Sequence, residues 1–173
     1  MTETSALVRK KSTRRAVGFR VIVAGQGQAC LTPKKGIIMI TLAIANQIID
    51  AAMKKAKEIK QPMCIAVVDE GGNMVQHVRM DGGLLGSIDI SLHKAYTARA
   101  FNMTTKELAG HSQPGSQFYG IHISNIGKIM IFAGGIPLKH KGKIVGAIGV
   151  SSGSEEQDVA VAEAGVAEFE RIA

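Results

Sequence analysis

The chain has 173 residues, 46% of them hydrophobic, and a formal charge of +7; this length and composition suit one domain with a real core. With no Trp, two Tyr and five Phe there are too few rings to stack single-stranded nucleic acid, and no apolar run approaches the roughly 18 residues of a membrane span. Two cysteines form neither a disulfide framework nor a Cys-x-x-Cys motif, so the expectation is a protein of the reducing cytoplasm without nucleic-acid or membrane partners.

The charge sits almost wholly in residues 1–38, which hold eight Lys/Arg (Arg9, Lys10, Lys11, Arg14, Arg15, Arg20, Lys34, Lys35) against Glu3 alone. The rest of the chain is balanced, with thirteen basic and thirteen acidic side chains. Like-charged arms of this kind are ordinarily solvated tails, and this one lacks the apolar stretch of a secretory signal. Lys34-Lys35-Gly36 would be written in purine-rich codons just ahead of Met39, as a ribosome-binding site is. The expected division is a basic extension over 1–38, disordered or non-native, and a folded domain over 39–173.

From Thr41 the pattern becomes regular. Thr41 can cap a helix whose stripe is Leu42, Ala45, Ile48, Ile49, Ala52, Ala56 and Ile59. Met63–Val68 reads as an apolar strand, Asp69-Glu70-Gly71-Gly72-Asn73 as a hairpin turn, and Met74–Met80 as the return strand. Ile88–Phe101 reads as a second helix, and Thr104 with Glu107 has capping-box spacing for a short third one. His111–Gly127 is a long polar loop with a short extended piece near Tyr119–Ile123, and long loops in compact domains tend to be functional. Three strands follow, Ile129–Phe132, Ile136–Lys139 and Lys143–Val150. Ser154 and Gln157 then box the start of a last helix striped by Val159, Ala162, Val166, Phe169 and Ile172. Hairpin-length connections make the sheet largely antiparallel, and helices before, between and after it can cover both faces. The fold class is α+β, layered α/β/α.

No catalytic set declares itself, so catalytic residues are unassigned. Gly142, Gly146 and Gly149 fall in a hairpin and strand rather than between a strand and a helix, which removes the context of a dinucleotide fingerprint. The five histidines (His77, His93, His111, His122, His140) lack His-Glu-x-x-His or Cys/His spacing, and no metal set is expected. An axial haem ligand, however, needs only one imidazole beside a pocket. Ser151, Ser152 and Ser154 lack a nucleophile elbow, and Asp158 and Glu155 suit the positive end of the last helix. Lys94 offers a cation for a carboxylate; its simplest structural role is a surface lysine whose stem lies on the core.

Five stretches in order carry a resemblance: V-V-D-E-G-G-N from Val67, V-R-M-D-G from Val78, K-A-Y-T-A from Lys94, G-G-I-P-L from Gly134, and G-A-I-G-V-S-S-G-S-E-E-Q-D from Gly146. Over about residues 40–170 the chain resembles the GlcG/HbpS family, which includes the C-terminal domain of PduO-type cobalamin adenosyltransferases. The stretch from Gln113 to Gly120 is similar to the OrfY-like branch. One departure is Ser152, where the family usually has glycine. The resemblance implies a profilin-like fold with a five-stranded antiparallel sheet between helices, and homo-oligomers, often octamers. It further implies haem or tetrapyrrole binding linked to haem degradation or iron handling. Under that reading Arg79, His93, Lys94, Thr105 and His111 are the candidate contacts, Arg and Lys for propionates and a His or Thr for the metal. The alternative it implies is an accessory protein of the cobalamin-dependent diol/glycerol dehydratase system, with dehydratase proteins as partners.

Overall fold

The structure, a computed structural model, describes residues 38–173; the expectations for the basic arm fall on residues 1–37, outside these. In chain order the elements are α1 (Leu42–Glu58), β1 (Cys64–Asp69), β2 (Met74–Arg79), α2 (Ser87–Phe101), α3 (Thr105–His111), β3 (Gly135–His140), β4 (Lys143–Ser151) and a C-terminal helix (Glu155–Ile172). Each helix start read from the sequence has its cap, with the exception of α2. Thr41 Oγ1 accepts from the Ile44 amide at 3.3 Å, and Thr104–Glu107 and Ser154–Gln157 form reciprocal capping boxes. These bonds satisfy amides that a helix start otherwise leaves unpaired.

The strands form one antiparallel sheet in the order β2-β1-β4-β3. Strand alternation then builds two cores. Ile65, Val67, Ile148 and Val150 point to one face and meet Ala45, Ile48, Ile49 and Ala52 of α1 and Val161, Ala162 and Phe169 of the C-terminal helix. Ala66, Val68 and Ala147 point to the other and meet Ala95 and Ala98 of α2. β1 and β4 are buried on both faces, which explains why neither alternates in sequence.

Two expectations are corrected. The sheet has four strands, not five: Ile129–Phe132 joins no ladder. Its backbone is bonded to α2 instead, since Thr97 Oγ1 accepts from the Met130 amide at 3.0 Å and donates to the Lys128 carbonyl at 3.2 Å. An apolar run of this length satisfies its polar groups from a helix side chain as readily as from a strand, and hydrophobicity does not choose between them. The extended piece near Tyr119–Ile123 is likewise a series of tight turns ending in a 3-10 helix over Ile121–Ile123.

Candidate functional site

The distinctive geometry gathers on the two sides of α2. Its inner side carries Ser87, Ser91, Lys94, Ala95 and Ala98, all buried, at helical spacing. Apart from Lys94 these are small residues, so the helix axis can come close to the sheet. At Gly149 a Cβ would collide with the Ser91 carbonyl oxygen and the Ala95 amide nitrogen. At Gly134, where φ is +114°, a Cβ would lie 2.5 Å from the Val150 carbonyl oxygen and 2.9 Å from Lys94 Nζ. The glycine-rich motifs are therefore the clearance that lets α2 seat on β3 and β4.

Lys94 is 0% exposed. Its Nζ donates to Asp158 Oδ2 at 2.7 Å and to the Val150 carbonyl at 2.9 Å, and lies 4.6 Å from the Phe132 ring centroid. Asp158, 4% exposed, accepts a further bond from the Gly153 amide at 3.0 Å through Oδ1. Burial pushes the lysine below its ordinary value and the Asp158 carboxyl above its own, and their hydrogen bond and mutual attraction oppose both shifts. The pair ties α2 to the first turn of the C-terminal helix, while Thr105 Oγ1, also buried, accepts from the Gly135 amide at 2.9 Å. Lys94 and Thr105 thus meet around Gly134–Gly135, with their polar atoms spent inside the chain.

Ser152 sits near the same corner with φ +125°, a backbone region that favours glycine. Its hydroxyl accepts from the Leu84 amide at 3.2 Å and donates towards Cys64 Sγ at 3.9 Å, so these contacts support a serine in that conformation. Burial pushes the Cys64 thiol up, against the pull of Ser152 and Arg79.

The outer side of α2 is different in kind. His93 is half-buried there, one turn before Thr97, whose hydroxyl holds the Lys128–Met130 backbone. Tyr96 accepts from Asn125 Nδ2 at 3.2 Å, and Lys128 Nζ lies 6.0 Å from its ring centroid. The segment from 112 to 134 is thereby attached along α2, and it exposes apolar side chains: Tyr119 at 67%, Ile123 at 77% and Ile126 at 94%, with Phe132 partly exposed. Large exposed apolar residues grouped on one segment mark interaction surfaces. A half-buried imidazole on the helix side along which such a segment is attached suits a flat apolar ligand that carries a metal.

The remaining candidates stand apart from the Lys94 cluster. Arg79 Nε donates to the Gly83 carbonyl at 2.9 Å. His111 is exposed at the end of α3, its ring edge-on to Phe118 with centroids 6.2 Å apart. Among the described residues neither they nor His93 share a hydrogen bond or ring contact with Lys94 or Thr105. Reading the sequence missed Asp158 as the lysine's partner. The signal was present: Lys94 shares the small-residue face of Ser91, Ala95 and Ala98, and a lysine on a buried face requires a counter-charge.

A sequence model of HbpS-like haem-degrading proteins matches residues 40–167. The chain is 46% identical over 127 residues to a Citrobacter freundii 15.0 kDa protein encoded in the dhaT-dhaS intergenic region, spanning 73% of this chain and 89% of that one. It is 38% identical over 122 residues to the C. freundii corrinoid adenosyltransferase PduO, spanning 70% of this chain and 36% of the enzyme. Among solved structures, Klebsiella pneumoniae ORFY superposes with a TM-score of 0.76 at 38% identity, over 81% of this chain and 97% of that one. A complex of PduOC with heme superposes with a TM-score of 0.73 at 33% identity, over 76% and 95%.

Proposed function

The chain belongs to the HbpS-like family, and from that premise we propose that it binds haem or a related tetrapyrrole on the outer side of α2. The observation that carries the reading is the half-buried His93 on the side of α2 to which the 112–134 segment, with its exposed apolar side chains, is attached through Tyr96 and Thr97. The similar fold of PduOC, known in complex with heme, supports it. In this reading His93 supplies the imidazole to the metal, with His111 as the second candidate, and the terminal nitrogens of Arg79 meet ring carboxylates. Lys94 acts from inside, holding α2 against β4 and the C-terminal helix, while Thr105 holds α3 to β3, so that His93 is correctly presented. Bound iron would supply redox chemistry; the chain's own residues would supply an imidazole from His93, an apolar bed and partial exclusion of water.

A second reading rests on the relative from the dhaT-dhaS intergenic region and on PduO, a corrinoid enzyme. Here the chain is a homo-oligomeric accessory protein of a cobalamin-dependent diol or glycerol dehydratase system. Corrins and haems are both flat tetrapyrroles, so one titration separates the readings. Haemin added to purified protein should give a saturable Soret shift that His93→Ala abolishes or moves, and cobalamin should not compete. Competition by cobalamin, or dehydratase subunits co-purifying with pigment-free protein, favours the second reading. A haemin spectrum without saturation, or one that both His93→Ala and His111→Ala leave unchanged, overturns the first. Decay of the Soret band under reductant, with iron release, distinguishes haem breakdown from storage, and sedimentation velocity tests for the even-numbered assembly, up to an octamer.

A further inference from the structure

Away from His93, at the end of the sheet where α2 finishes, a hollow of about 490 Å³ is lined by Glu70, Arg99, Asn102, Gly142 and the start of β4 from Lys143 to Val145. We propose that it is a binding site for a small hydroxylated monocarboxylate, independent of the tetrapyrrole reading. The volume lies in the range of small-ligand sites. Three elements build it, each fixed locally. Asn102 ends α2 in the left-handed region (φ 57°), and its Oδ1 accepts from Arg99 Nη1 at 2.8 Å, which holds the guanidinium at the wall. The β1–β2 turn is tied by Asp69 Oδ1, which accepts from the Gly71 and Asn73 amides at 2.8 Å each, so Glu70 projects from a rigid bend. Lys141 and Gly142 turn the β3–β4 hairpin with φ of 48° and 78° and bring Lys143 to the rim.

The charges define the ligand. Among the described residues Arg99, Lys143 and Glu70 take part in no ion pair, although all three line one hollow. Arg99 Nε is also shielded from solvent without an acceptor; a guanidinium desolvated along one edge acts more strongly on an anion at its remaining nitrogens. Two cations against one carboxylate leave a single excess positive charge, which matches one negative charge on the ligand. A planar guanidinium fork matches a carboxylate in geometry. Glu70 accepts hydrogen bonds and repels a second anion, so the ligand must offer it a hydroxyl.

Three probes separate these elements: glycerate carries the carboxylate and hydroxyls, propionate the carboxylate alone, and glycerol the hydroxyls alone. Calorimetry on the full chain should rank glycerate above propionate, with glycerol not binding. Arg99→Gln should weaken glycerate roughly tenfold or more, and Lys143→Ala, at an exposed position, about threefold. Glu70→Gln should act with opposite sign on the two acids, erasing the preference for glycerate while tightening propionate. Absence of saturable glycerate binding at millimolar concentrations overturns the site. So does binding that Lys143→Ala and Glu70→Gln, both surface changes, leave as in the unaltered chain. Haemin titration of Glu70→Gln should be unchanged, which keeps a failure here distinct from a failure of the tetrapyrrole reading.

Discussion

The two sides of α2 are built on opposite principles. On the inner side Lys94, Ala95 and Ala98 are fully buried, Gly135 and Gly149 leave out Cβ atoms that would collide with the α2 backbone, and the one charge is matched by Asp158. On the outer side His93 is half-exposed and the neighbouring segment shows Tyr119, Ile123 and Ile126 to solvent. The motifs from Gly134 and from Gly146, with Lys94, Ala95 and Ala98, meet on the inner side, and their atoms are occupied with one another. Motif density here reports packing constraint. The tetrapyrrole contacts proposed above lie on the other side, where exposed apolar side chains remain uncommitted.

If that contrast holds, the largest effects on stability belong to the inner side. Asp158→Ala removes the lysine's counter-charge and the acceptor of the Gly153 amide, and should cost about 4 kcal/mol, read as a fall in the denaturant midpoint. Replacing both partners, Lys94→Met with Asp158→Leu, should recover most of that loss, because no buried charge is left alone. A double variant as unstable as Asp158→Ala would mean that the pair does more than balance charge. Gly149→Ala comes next. Its methyl has no room against the Ser91 and Ala95 backbone, and moving α2 away should cost about 3 kcal/mol. Because α2 presents His93, the same variant should also weaken haemin binding, whereas His93→Ala should alter the spectrum at nearly unchanged stability.

The two sides also differed in how far they could be read in advance. The stripe of α1, the hairpin turn at Asp69–Asn73 and both capping boxes were legible because each depends on neighbours within a few residues. Ile129–Phe132 was not, since its fate depends on Thr97, about thirty residues upstream, which takes its backbone bonds. The surface position expected of Lys94 is wrong for a related reason: its partner lies 64 positions away, and a lysine considered alone defaults to the surface. Ser152 departs from the family's usual glycine, and its φ of +125° gives that departure a physical meaning. The anion hollow escaped entirely, because its walls come from three elements and no local spacing joins Glu70, Arg99 and Lys143.

A third test reverses the sign. Ile126 has φ 60° and is 94% exposed, a conformation in which a β-branched side chain is strained. Ile126→Gly should relieve that strain and raise stability by about 1 kcal/mol, the opposite of any change on the inner side. If the exposed isoleucine belongs to the apolar bed for a tetrapyrrole, the more stable variant should bind haemin more weakly. A gain in stability without loss of haemin affinity would remove Ile126 from the surface proposed to bind.

The smallest effect is one of pH, and it probes the edge where the two sides meet. His77 of β2 lies beside α2, with Nε2 3.1 Å from Ser91 Oγ. The serine hydroxyl donates to the Ile88 carbonyl at 2.9 Å, which leaves its oxygen to accept and assigns the imidazole proton to Nε2. Burial pushes His77 below the ordinary value of 6.5, against the upward pull of the Ile88 carbonyl and the Asp89 carboxylate. The folded chain therefore binds this proton less readily than the unfolded chain does. Between the folded value and 6.5 the unfolded state holds more protons, so stability falls as pH drops through that window and is full above it. His77→Gln should flatten this part of the profile of denaturant midpoint against pH and keep a side-chain donor for Ser91. A slope that survives the substitution would have to come from another group, and the edge of α2 would then be insensitive to the charge of His77.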